Sequence, residues 1–113
     1  MRKIRPTQFP LDPLATDAAT LGAAIRAARS AAGLTLVDAA ISLGISKQTL
    51  SDLETGKTSV GLHTALRAAR ELGVAVFAVP AADREPVRRA IRALRAASAH
   101  QTEPSPDKDS ESS

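Results

Sequence analysis

The stretch Gly44–Thr58, GISKQTLSDLETGKT, decides the reading of this chain. A glycine opens it, a hydroxyl residue follows two places on, and a second glycine stops the segment between. Isolated helices shorter than about 12 residues are marginal in water. A helix from Lys47 to about Thr55 must therefore be held by its neighbours. Leu50 and Leu53 share one face at helical spacing and point inward. Lys47, Gln48, Ser51 and Asp52 are left outward. Ser46 has the side chain of an N-cap, and Gly56 ends the helix.

Working outward, a short helix over Leu36–Leu43 precedes this segment, with Thr35 as its N-cap and Gly44 after it. Ala40 is small, which lets the next helix cross over it closely. Gly44 permits the left-handed turn between the two. Ile45, Leu50 and Leu53 fix the crossing, so Ala40, Gly44, Leu50 and Leu53 have helix-turn-helix spacing. An earlier helix runs from about Asp17 or Thr20 to Ala32, with Leu21, Ala24, Ile25 and Ala28 on one face and Gly33 as its stop. A later one covers Leu62–Leu72, with Leu62, Ala65, Leu66 and Ala69 as its inner stripe. Residues 1–16 hold Pro6, Pro10 and Pro13 and read as an extended arm with a basic tip of Arg2, Lys3 and Arg5. Phe9, Leu11 and Leu14 are expected to lie on the domain.

After Gly73 the pattern changes. Residues 74–79 read VAVFAV, β-branched and aromatic, and Pro80 closes them. This predicts a strand over 74–80. No second good strand exists in the chain, and a lone strand leaves its backbone groups unpaired. Pairing with the same strand of a second copy satisfies them and closes a two-fold dimer, with Val74, Val76, Phe77 and Val79 at the interface. The other reading is an extended linker packed on its own domain. Residues 83–100 predict an amphipathic helix. Val87, Ala90, Ile91, Leu94 and Ala97 form one face, and Arg84, Arg88, Arg92 and Arg95 crowd the others. Residues 101–113 are polar, rich in Ser and Pro, and read as a disordered acidic tail.

The chain of 113 residues has room for one small domain plus a tail. Its net charge of +3 is uneven: the tail has one lysine against four acids, which leaves +6 on the first hundred residues. A basic domain suits a polyanionic partner, although a soluble arginine-rich surface has the same signature. The chain has two aromatic residues, Phe9 and Phe77, too few for a base-stacking platform on single strands. Without cysteine there is no disulfide framework or thiolate site. No apolar run approaches a membrane span, and no signal-peptide core is evident, so a cytoplasmic, nucleoid-associated protein is expected. There is no nucleophile–base constellation, phosphate-cradling glycine loop or metal-ligand cluster. An enzyme or cofactor binder is disfavoured, and His63 and His100 stand isolated.

Residues 21–74 resemble the XRE/Cro–C1 family of helix-turn-helix domains, the lambdoid phage repressor type. The features that carry this are AxxxGIS at Ala40–Ser46, TLSDLETGK at Thr49–Lys57 and ALRAARELGV at Ala65–Val74. The resemblance implies an all-α, lambda-repressor-like domain of four or five short helices over 17–73, here with one C-terminal strand and an extra helix. It implies that the helix from Lys47 enters the major groove of double-stranded DNA, with base contacts from Lys47, Gln48, Ser51 and Asp52. Gln48 suits adenine N6/N7, and Lys47 suits guanine O6/N7 or a phosphate. Asp52 suits cytosine N4, or else repels the backbone. Phosphate contacts are implied for Thr35, Ser46, Thr49, Lys57, Thr58 and Ser59; these position without specifying. For Ser46 a cap alone is the other reading, and Glu54 reads as the structural partner of a nearby basic group. Arg26, Arg29 and Arg70 read as solvated helix faces, with Arg29 the best placed to reach a phosphate. Many members carry glutamine after the threonine that starts the second helix, whereas this chain has Leu36.

Two functions follow as expectations. One is a homodimeric transcriptional repressor on a palindromic operator. The other is an antitoxin that also neutralises a kinase-like toxin and regulates its own operon. A domain followed at once by one strand is similar to HipB-like antitoxins, although the helix over 83–100 is not part of that pattern.

Overall fold

Short helices stopped by glycines, with alanine wherever two must cross, build the four-helix part of this fold. The computed structural model describes residues 4–57 and 60–101. Thr58, Ser59, the tip of the arm and the acidic tail lie outside the described residues. The helices are α1 (Ala18–Ala31), α2 (Leu36–Leu43), α3 (Lys47–Glu54), α4 (Leu62–Leu72) and α5 (Arg84–Gln101), with a 3-10 turn at Ala81–Asp83. The chain divides after Ala78 into two units.

In the first unit α1 packs on α3 and α4, and α2 packs on α3. Ile25 and Leu50 are its largest fully buried side chains, ringed by Ala39, Ala40, Leu43, Leu53, Ala65, Ala68, Ala69 and Val74. A core so rich in alanine carries little bulk, so it is built on close backbone approach. Gly22 of α1 shows this most directly. A Cβ there would run into the Leu53 carbonyl oxygen and come within 2.8 Å of that of Glu54. The last carbonyls of α3 thus lie against the backbone of α1.

The arm lies along the first unit, tethered by polar contacts. The Thr7 N–H donates to Ser30 Oγ at 2.9 Å, and the two hydroxyls lie 3.3 Å apart. Ser30, itself buried, donates to the Ala27 carbonyl. Leu14 is half-buried, but Phe9 is 39 % and Leu11 71 % exposed, so neither of these two is buried against the domain as expected. The Leu14 N–H donates to Asp12 Oδ1, which bends the chain towards α1.

Two sequence expectations are corrected. On α4 the inner face is Ala65, Ala68 and Ala69, with Leu72 beside it; Leu62 is 71 % exposed and Leu66 is also exposed. The sequence supports two overlapping stripes at helical spacing, and the smaller residues win because they let the helices approach closely. Among the described residues there is no strand, so the one expected over 74–80 is absent. Val74 is not available to an interface: it is buried in its own core, and its N–H donates to the Ala69 carbonyl at 2.7 Å to close α4. Beyond it Val76, Phe77 and Val79 are exposed on a segment without regular secondary structure. A strand needs a second strand to pair with, and the described chain offers none.

The second unit is the 3-10 turn followed by α5. Glu85 stands in the first turn of α5, and Arg88 donates to its Oε2 at 2.8 Å. Val87 and Ile91 are half-buried and Leu94 is exposed.

Asp17 caps α1. Its Oδ1 accepts from the Thr20 hydroxyl at 2.7 Å and from the Thr20 N–H at 2.8 Å. These bonds, the hydroxyl first and the backbone second, hold its carboxyl below its ordinary value. A depressed carboxyl contributes stability that is present above the unfolded pKa, about 4, and is lost as pH falls through the folded one. Asp17→Ala should therefore lower the melting temperature at neutral pH. The gap to the parent chain should close on acidification below about pH 4, as followed by circular dichroism.

Candidate nucleic-acid interface

The pair α2–α3 is shaped by its caps. Thr35 Oγ1 accepts from the Asp38 N–H at 3.0 Å and starts α2. At the other end Gly44 takes φ 70°, and the N–H groups of Gly44 and Ile45 return to the carbonyls of Ile41 and Ala40. Two residues later Ser46 is extended, and its Oγ accepts from the Thr49 N–H at 2.9 Å. The Thr49 hydroxyl lies 2.8 Å from that same oxygen. Both hydroxyls expected at phosphates are thus first of all a cap. Ala40 is buried beneath the turn, as its size implied.

The far end of α3 is fixed by charge. Arg29 of α1 grips Glu54 with both arms of its fork, Nε to Oε2 at 2.6 Å and Nη2 to Oε1 at 3.0 Å. Its Nη1 donates to the Leu34 carbonyl at 2.8 Å. The side chains are 12 % and 5 % exposed, so this pair is buried and polar-satisfied. One guanidinium thereby joins α1, the loop before α2 and the end of α3. Glu54 is the structural partner its position suggested. Arg29 is not a solvated face, because its three bonds are spent inside the domain. Arg67 of α4 donates to the Leu43 carbonyl at the end of α2 and pairs with Glu71 at 3.3 Å. Sequence reasoning missed this clasp, since nothing local joins residues 24 apart.

Between its two fixed ends, α3 buries Leu50 and Leu53 and exposes Lys47 and Gln48 on its opening turn. Ser51 and Asp52 are half-buried. That turn has no acid in it, and its free N–H groups add positive potential. Asp52 Oδ1 accepts from Gln48 Nε2 at 2.8 Å and lies 3.5 Å from Lys57 Nζ. The Lys57 N–H returns to the Asp52 carbonyl at 2.9 Å, which turns the chain just past Gly56. The exposed surface here sets two lysines, Lys47 and Lys57, beside the Gln48 amide and the half-buried Asp52 carboxylate.

A helix-turn-helix domain model matches residues 20–81, more than half of the chain. The chain belongs to the helix-turn-helix domain family, of the XRE-like kind. No curated protein matches it. The helix-turn-helix match begins within α1, takes in α2 to α4 and residues 74–80, and ends before α5. Domains of this family bind DNA through the second helix of the motif, which here is α3. Among the described residues no group of side chains could hold a metal ion, and no helix is long and apolar enough to cross a membrane.

Removing one partner of a buried ion pair strands the other charge. Glu54→Ala should cost about 3–5 kcal/mol in chemical denaturation. Joining Arg29→Met to Glu54→Leu should return most of it, because the pair is then replaced and not broken.

Proposed function

We propose that this helix-turn-helix protein is a sequence-specific transcriptional regulator, a repressor that binds a palindromic operator as a homodimer. The observation that carries the reading is the exposed pair Lys47 and Gln48 on a helix pinned at both ends. An amide and an ammonium held rigidly at a helix N-terminus suit base edges in the major groove. Thr35, Ser46, Thr49 and Lys57, with Thr58 and Ser59 by sequence, line the approach to the phosphates. Ser51 flanks the base-reading pair.

Dimerisation is the second part of the proposal. Val76, Phe77 and Val79 are each exposed on a segment without regular secondary structure, with Phe77 76 % exposed. Among the described residues no backbone hydrogen bond engages residues 75–79. A second copy of the same segment supplies both the missing ladder and the apolar cover. Two copies then present their α3 helices to half-sites ~34 Å apart or a multiple of it. Such a protein acts on the nucleoid in the cytoplasm and needs neither cofactor nor catalytic group.

A second reading adds a toxin partner. What it rests on is α5, which leaves Leu94 exposed and lies outside the family match, although such a helix is not part of the HipB-like pattern. Pull-down from cells carrying the intact operon tests it, and recovery of no partner contradicts it.

The DNA-binding proposal is tested by anisotropy titration against the gene's own upstream region over a range of salt. Gln48→Ala should lose discrimination by about 1–3 kcal/mol at one base pair. Lys57→Ala should weaken all sequences alike and reduce the salt slope by about one. Absence of specific, salt-sensitive binding by the parent chain contradicts the proposal.

A further inference from the structure

The acid of α3 has a place in base reading that differs from a direct contact. We propose that Asp52 is a positioning residue, which holds the Gln48 amide in the one orientation that reads adenine and touches no base itself. This rests on the reading of α3 as the helix that enters the major groove.

Geometry carries the inference. The Asp52 side chain is 18 % exposed, folded back along its helix, whereas Lys57 beside it is 64 % exposed. Its Oδ1 already accepts from Gln48 Nε2 at 2.8 Å and faces Lys57 Nζ at 3.5 Å. The four-residue spacing puts Gln48 and Asp52 one above the other on the helix. An ionised carboxylate only accepts, so it selects the nitrogen end of the Gln48 amide and excludes the flipped form.

The consequence is chemical. With one N–H given to Asp52, Gln48 keeps its Oε1 as an acceptor and its second N–H as a donor. Adenine offers the complement, a donor at N6 and an acceptor at N7. A free glutamine side chain samples many rotamers and both amide senses, and ordering it on the base costs entropy. Asp52 meets that cost in the unbound protein. A carboxylate near DNA would ordinarily repel phosphates, but Lys57 offsets its charge.

The test uses the full chain and a duplex recovered by that chain from a random-sequence library. Asp52→Ala should lower discrimination at the base pair read by Gln48 by about threefold to tenfold. Asp52→Asn, whose amide donates as well as accepts, no longer excludes the flipped Gln48 and should lose part of that discrimination, less than Asp52→Ala does. Gln48→Ala combined with Asp52→Ala should be no worse than Gln48→Ala alone. In the free protein, the Gln48 side-chain amide resonances should move in both Asp52→Ala and Asp52→Asn, because each removes the acceptor-only group beside that amide. Losses that multiply in the double variant, or that fall on another base pair, overturn the proposal in favour of a direct contact. Tighter binding of Asp52→Ala to every duplex, with discrimination unchanged, overturns it in favour of simple repulsion. A parent chain that selects no sequence overturns the major-groove reading and this inference with it; failure of the variants alone overturns only the inference.

Discussion

The buried fork between Arg29 and Glu54 is the interaction on which the rest of the first unit depends. A helix of eight residues has no stability of its own, so its direction must be imposed from outside. The fork imposes it at one end, tying the last residue of α3 to α1 and, through the Leu34 carbonyl, to the start of α2. Gly22 lets the same end lie against the backbone of α1. At the other end the Gly44 turn and the Ser46 cap set where α3 begins. The two inward leucines then need only fill the space between. What is left outward, Lys47, Gln48, Ser51 and Asp52, is polar, and none of it is needed to fill the core.

Much of this was legible in the sequence, for a physical reason. Caps and stops are local: Thr35, Gly44, Ser46 and Gly73 act on backbone groups within a few residues. The bounds of α2, α3 and α4 follow from them almost to the residue. The inward face of α3 follows from the spacing of Leu50 and Leu53. What could not be read was whatever depends on distance or on small residues. In α4 Ala65 and Ala69 belong to two overlapping stripes, so spacing alone does not choose between the one through Leu62 and the one through Ala68. The Arg29 fork and the Arg67 clasp join residues far apart in the chain. Leu11 looked like an anchor of the arm, yet the anchor is Thr7 on buried Ser30, a polar contact with no periodic signature.

The segment after Gly73 shows the same limit differently. Its composition is that of a strand, but composition sets only a preference, and a strand exists when something pairs with it. Val74 is claimed by its own core. The rest stays apolar, exposed and without regular secondary structure, which is why the proposed homodimer is placed there. The half of the site that concerns α3 and the half that concerns the dimer therefore rest on different grounds: internal bonds for the first, exposed apolar surface for the second.

The central claim is that α3, held at both ends, presents Lys47 and Gln48 to DNA. A nuclear magnetic resonance titration of the isotope-labelled full chain with its selected duplex tests it most directly. The result expected is that the largest shifts gather on Lys47, Gln48 and Ser51, with smaller ones at Thr35 and Lys57, while the side-chain signals of buried Leu50, Leu53 and Glu54 stay in place. Shifts confined to α5 and the arm, with the opening turn of α3 unmoved, would contradict it.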